Sequence, residues 1–409
     1  MKKKRSQFLS FMLTLALLIG LMSGTQQAEA TDSTYTITIP STLDVQDSGW
    51  NELEGGITAS GTLASGKQLV ITASSDNGFK FVHQTDNTQT VFYDFCASST
   101  DLTPITEWTF DSLSTDSITQ TAGINVEDIT YKLGGTYAET VTFTAEIVDA
   151  AIDLSTLTAY EAQDGDILTG TAGADAHITI AAGATITLKD ATITSINTSN
   201  KWAGITCEGD ATIILSGNNK VKGGHMYYPG IHIASGSTLT IQGSGSLTVS
   251  SNGIGAGIGG GYNGIHCGNI VIEGGTISAT GGNDGAGIGG AARSSCGNIT
   301  ISGGTITATG GDYAAGIGGG HQTSCGNITI SGGTITATGG NYAAGIGGGS
   351  ETPCGDITIT TDVTSVTATK GSDAPNSIGA GRDSTCGTVT IGGTTGQRTE
   401  STYTYTPSN

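Results

Sequence analysis

Residues 296–320 read CGNITISGGTITATGGDYAAGIGGG, and residues 325–349 read CGNITISGGTITATGGNYAAGIGGG. The two stretches lie 29 positions apart and differ at one residue, Asp312 against Asn341. Within the first, Asn298-Ile299-Thr300-Ile301 alternates polar with apolar, and Thr305-Ile306-Thr307-Ala308-Thr309 does the same. A period of two is the signature of a strand with one buried face. Ala315-Gly316-Ile317-Gly318 makes a third short segment, and Gly303-Gly304 and Gly310-Gly311 punctuate the three as turns. A strand–turn–strand–turn–strand unit this short buries no face by itself. Stacking such units does, with parallel, in-register strands and an Ile/Ala/Val interior. The text therefore predicts a parallel β-helix with one coil per 29-residue repeat.

The repeat reaches well beyond these two copies. Cys267, Cys296, Cys325 and Cys354 are spaced by 29, and Cys386 follows after 32. The recurring Ile falls at Ile205, Ile231, Ile258, Ile288, Ile317, Ile346 and Ile378. His177 to Ile196 reads as an earlier, capping coil. Seven to eight coils at ~4.8 Å each predict a rod roughly 35–40 Å long. A right-handed sense is the rule for parallel crossovers. A β-propeller blade would need about 40 residues and four strands, which this unit lacks.

Outward from the repeat, the organisation is all-β. Met1-Lys2-Lys3-Lys4-Arg5 is a basic leader start, Phe8 to Leu21 is an apolar stretch too short for a membrane span, and Ala28-Glu29-Ala30 fits a cleavage pattern. Residues 1–30 are therefore expected to be a signal peptide and the mature chain to be secreted. Residues 31–148 lack the repeat. They read as separate strands, including Tyr35–Ile39, Gln68–Thr72 and Thr140–Ala145, consistent with an immunoglobulin-like β-sandwich. Gly135-Thr136-Tyr137 resembles the Tyr-bearing corner of such domains. Residues 149–176 are expected to form a junction and first-coil cap, 177–398 the right-handed parallel β-helix, and 399–409 a C-terminal cap, with Pro407 ending strand pairing.

The chain carries 15 Lys and Arg against 35 Asp and Glu, a formal charge of −20. Loss of residues 1–30 removes four cations and one acid and leaves −23. That sign opposes nucleic acid and anionic lipid, so neither nucleic-acid binding nor membrane insertion is expected. Gly is abundant at 66 residues, but it recurs at fixed intervals between β-formers, which reads as turns and not as linker.

The units CGNITISGGTITATGG and AGIGGG, with the stretch from Lys201 to Ile214, resemble repeats in secreted surface proteins of gut-type bacteria. The resemblance spans about residues 165–395. It implies an adhesin-like or carbohydrate-binding β-helix, with an N-terminal module ahead of the repeats, and brings no residue-level motif.

Aligned on the recurring Ile, Tyr227, Tyr313 and Tyr342 stand four residues before it, and Trp202 and Tyr228 three before it. These side chains are expected to line one corner of the rod and to stack on sugar C–H surfaces, with Asp312 and Asn341 hydrogen-bonding hydroxyls. The partner this suggests is a polysaccharide or a host or cell-surface glycan. The loop before each Cys varies (YNGIH, AARSS, HQTS, SETP) while its surroundings repeat, which marks an exposed rim where a site could also live.

Two other classes remain open. A polysaccharide lyase or hydrolase needs clustered carboxylates. The repeats offer Asp284, Arg293, Asp312, His321 and Glu351, and the early coils Glu208, Asp210, His225 and His232. An ice-binding protein would use an outward Thr grid: Thr305, Thr307 and Thr309, with Thr276, Ser278 and Thr280, and Thr334, Thr336 and Thr338. No catalytic residue, metal or cofactor is expected. Gly255–Gly260 matches GxGxxG but recurs in every coil and opens no helix. Gly61–Lys67 mimics a phosphate loop, yet Gln68 stands where Ser or Thr would hold magnesium. The repeated Cys are expected to form an inward ladder of free thiols, because parallel side chains on stacked coils would hold their Cβ atoms too far apart for disulfides.

Overall fold

A computed structural model of the chain describes residues 10–19, 33–45, 48–64, 66–194, 199 and 201–407, with the backbone alone for 10–19 and 44. The basic start Met1–Arg5 and the Ala28-Glu29-Ala30 pattern lie outside the described residues. The described elements are strands, apart from one 3-10 turn at Leu154–Thr156. The chain divides into two compact units, Met1–Ala150 and Ala151–Asn409.

The first unit carries a nine-stranded and a three-stranded sheet. Its longest strand, Thr136–Asp149, alternates as the sequence does, burying Tyr137, Val141, Phe143 and Ala145. Lys67–Ser75 pairs antiparallel along it, and the backbone of Ser10–Ile19 runs parallel to Thr136–Ala145. The core is aromatic: Phe81, Tyr93, Phe95, Trp108 and Phe143 meet with ring centroids 4.6–5.9 Å apart, mostly edge to face. Tyr137 is fully buried and its hydroxyl donates to the Leu133 carbonyl at 2.9 Å. Lys67 pairs with Asp149, so the phosphate-loop mimic is spent on a strand contact.

The second unit is a right-handed-type β-solenoid of about seven turns with about 29 residues per turn. Three ladders repeat in each coil. The first stacks Asn269–Ile272, Ile299–Ile301, Ile328–Ile330, Ile357–Ile359 and Val389–Ile391 in parallel register. The second stacks Thr276–Thr280, Thr305–Thr309, Thr334–Thr338 and Ser365–Thr369. The third is a nine-stranded sheet of short strands ending in Ile288–Gly289, Ile317–Gly318, Ile346–Gly347 and Ile378–Gly379. Ile288, Ile317, Ile346 and Ile378 sit one above another, all fully buried. Each such side chain contributes about 1.5–3 kcal/mol by leaving water.

Glycine follows each of these Ile residues for a steric reason. Gly318 has φ +133°, and a Cβ there would lie 2.0 Å from the Gly347 carbonyl oxygen of the next coil. Both the dihedral and the close approach demand glycine.

The solenoid pairing begins ahead of residue 177. Parallel pairing reaches back to Ala151–Asp153 and Ala159–Ala162, so residues 149–176 already supply strands to both sheets. Their buried positions, Leu154, Ala162 and Leu168, lack the Gly-Gly punctuation that made later coils readable. One expectation is corrected: the Cys ladder is not all free thiols. Cys267–Cys296 and Cys354–Cys386 are disulfides with Cα–Cα distances of 4.7 and 4.6 Å, and Cys325 between them is free. From Cys296 onward these residues sit in one-residue parallel bridges, not within a strand, and the closed pairs have Cα atoms within disulfide range. The rungs are buried, as an inward ladder requires, except the half-buried Cys386.

At the far end Thr402–Tyr405 pairs antiparallel with Ser365–Thr369, covering the exposed strand edge of the last coil.

Candidate functional site

The corner four residues before each Ile meets the rim loop of the following coil through a repeated backbone bond. Tyr262 donates to the Tyr227 carbonyl, His321 to Asp284, Ser350 to Tyr313 and Arg382 to Tyr342, at 2.7–3.2 Å. Each donor stands four residues after its own Ile. Corner and rim are thus one edge of the solenoid, and side chains from both converge on it.

Two clusters result. In the early coils Tyr227 stacks on Tyr262 with centroids 5.1 Å apart, and His225 meets Tyr227 and Tyr228 edge-on at 5.0 and 5.6 Å. His225 is buried, and its Nδ1 accepts from the Tyr227 amide, which fixes the ring and its neighbours. With Lys201 and Asn263 these rings line a cleft of about 270 Å³. Tyr227 is 40% exposed and Met226 beside it 49%, large apolar surface for a protein of this polarity.

The later cluster is a continuous stack. Tyr313 lies between His321, 4.8 Å away, and Tyr342, 5.0 Å away, and the Arg382 guanidinium sits 3.9 Å over the Tyr342 ring. These rings are stacked on one another, and Tyr313 and Tyr342 are half-buried. Asn341 Nδ2 donates to Asp312 Oδ1 at 3.3 Å, one coil apart. His321 faces two carboxylates, Asp284 at 3.8 Å and Glu351 at 3.9 Å. Trp202 stands apart from both clusters: it packs on His177 at 4.7 Å and its Nε1 donates to the Ala176 carbonyl.

The rim loops form a second, polar cleft of about 630 Å³, lined by His266, Arg293, Ser295, Gln322 and Glu351. Arg293 Nε donates to Gln322 Oε1, and Gln322 Nε2 to Glu351 Oε2, so three stacked loops share one side-chain ladder. Arg293, Gln322 and Glu351 all hold φ near +50°, the tip of the same turn in three coils.

The early-coil carboxylates do not converge. Asp210 Oδ1 accepts the Thr238 amide, while His232 Nε2 lies 3.1 Å from the His266 carbonyl and is held below the usual histidine range by burial. Among the described residues no three His, Cys, Asp or Glu side chains are grouped to hold a metal ion.

The sequence reading placed Tyr227, Tyr228, Tyr313 and Tyr342 on one edge and missed Tyr262, His225, His321 and Arg382 as their ring partners. Tyr262, His321 and Arg382 all stand four residues after a recurring Ile, but Gly209, Ser235, Ala292 and Ser350 hold the same place in the other coils, so the position alone carries no signal.

A family model described as a beta helix repeat matches residues 270–292, 299–321 and 328–350. Each match runs from the first ladder of a coil to its rim loop. No curated protein matches the chain, and no solved structure does.

Proposed function

We propose that this protein is a secreted, non-enzymatic adhesin or carbohydrate-binding rod that works at or near a bacterial cell surface. The N-terminal unit is read as a β-sandwich attachment module, and residues 1–30 as a leader removed on export. The observation that carries this reading is the early-coil cleft. Tyr227, Tyr228 and Tyr262 offer ring surface to sugar C–H groups, while Lys201, His225 and Asn263 beside them offer hydrogen-bonding groups. A small cleft with a few placed polar groups among rings is the usual form of such a site. The later stack of Tyr313 and Tyr342 extends the same edge, through its hydroxyls together with Asp312 and Asn341. The test is electrophoresis of the purified chain through gels that each contain one polysaccharide. Retarded migration without clearing supports binding. Clearing of the polysaccharide would make the protein a lyase or hydrolase.

A second reading, ice binding, is favoured by one observation. Thr276, Ser278 and Thr280 register with Thr305, Thr307 and Thr309, and these with Thr334, Thr336 and Thr338. The result is an outward hydroxyl grid spaced about 4.8 Å by 6.7 Å.

A further inference from the structure

We propose that Cys386 is a thiol-modification site, supplied with its thiol by disulfide exchange along the ladder from Cys325. Five cysteines stand in one line, two pairs are closed, and the odd thiol is at the middle rung. The middle rung is related to its neighbours as the closed pair Cys354–Cys386 is. Cys296 and Cys325, Cys325 and Cys354, and Cys354 and Cys386 are all parallel one-residue bridges. In each pair the amide after the later Cys donates to the carbonyl of the earlier one: Gly326 to Cys296, Gly355 to Cys325, Gly387 to Cys354. A backbone that closes 354–386 therefore also suits 325–354.

The exchange needs no oxidant. The Cys325 thiolate attacks Cys354 Sγ, the Cys325–Cys354 bond forms, the Cys354–Cys386 bond breaks, and the electron pair leaves on Cys386 as thiolate, which takes a proton. One disulfide and one thiol remain on these three residues. What changes is exposure: Cys325 is buried, whereas Cys386 is half-buried at the last rung and can meet solvent reagents. There its thiolate attacks a small-molecule disulfide, forming a mixed disulfide and releasing one small thiol. Burial pushes the Cys325 thiol up to about 12, so the step is slow at neutral pH and quickens about tenfold per pH unit toward that value.

The test is native-state labelling of the full chain with N-ethylmaleimide at pH 8.5, followed by peptide mapping of labels and cross-links. The expected result is label on Cys386 together with a Cys325–Cys354 cross-link, both lost in Cys325→Ser. Label on Cys267 with a Cys296–Cys325 cross-link would show exchange toward the other end and overturn the assignment of Cys386. Retention of 267–296 and 354–386, with Cys325 labelled only after unfolding, would overturn the exchange itself. The wild-type map decides between these results even if Cys325→Ser fails to fold.

Discussion

The Tyr262 amide donates to the Tyr227 carbonyl at 2.7 Å, and the two rings stack with centroids 5.1 Å apart. One backbone bond between successive coils thus sets the distance at which two aromatic side chains meet. The ring pair is built by the solenoid's own repeat, so it is held in place before any ligand arrives. Tyr262→Ala should leave the strand ladders intact and weaken binding of a retarding glycan about tenfold, equivalent to about 1.4 kcal/mol. Circular dichroism checks the first part and a binding titration the second.

The glycine behind each ladder Ile should be far less replaceable than glycine in an open turn. Gly318→Ala drives a Cβ into the Gly347 carbonyl, and we expect a loss of more than about 4 kcal/mol or failure to fold. Gly393, at φ +80° with nothing within 4 Å, should cost about 1–2 kcal/mol when changed to Ala. Chemical denaturation of the two variants makes the comparison.

How much of this was legible follows from where the repeat speaks. Ile299, Ile306 and Ile317 announced three ladders because buried and exposed positions alternate at fixed intervals. The Cys line was also legible, but its pairing was not. Five cysteines in one line close two pairs and leave one thiol over, and near-equal spacing in a one-letter text does not carry which rung is left free. The edge was half legible. Tyr313 and Tyr342 announce themselves inside near-identical text, whereas Tyr262, His321 and Arg382 sit in loops whose sequence changes from coil to coil. Their role depends on stacking across coils and not on local pattern.

Acid should weaken the two units in different windows. In the N-terminal unit the carboxyls of Asp86, Asp101 and Asp128 are each held below the usual carboxylate range by the hydroxyl and then the amide of the Thr two residues on. Their unfolded forms take up protons first, so this contribution is present above about pH 4 and is lost as pH falls through the folded values. In the solenoid, burial favours neutral His232. Its contribution is present above the unfolded value near 6.5 and declines as pH falls below it. Denaturation between pH 7 and pH 3, with His232→Gln and with Asp→Asn at the three aspartates, should remove the upper and lower slopes separately.

The Thr grid separates the two functional readings. Thr307→Lys with Thr336→Lys places two long cations on neighbouring coils at exposed positions. Glycan retardation should be unchanged within twofold. Thermal hysteresis measured on the wild type and lost in this variant would instead favour ice binding.

The most direct test of the glycan-binding edge compares dissociation constants for a retarding polysaccharide between the wild type, Tyr227→Ala/Tyr262→Ala and Tyr313→Ala/Tyr342→Ala. The account predicts at least a tenfold loss in the first variant, and a smaller loss in the second, whose outer ring faces are already covered by His321 and Arg382. Wild-type affinity in the Tyr227→Ala/Tyr262→Ala protein, with its fold intact, would contradict it.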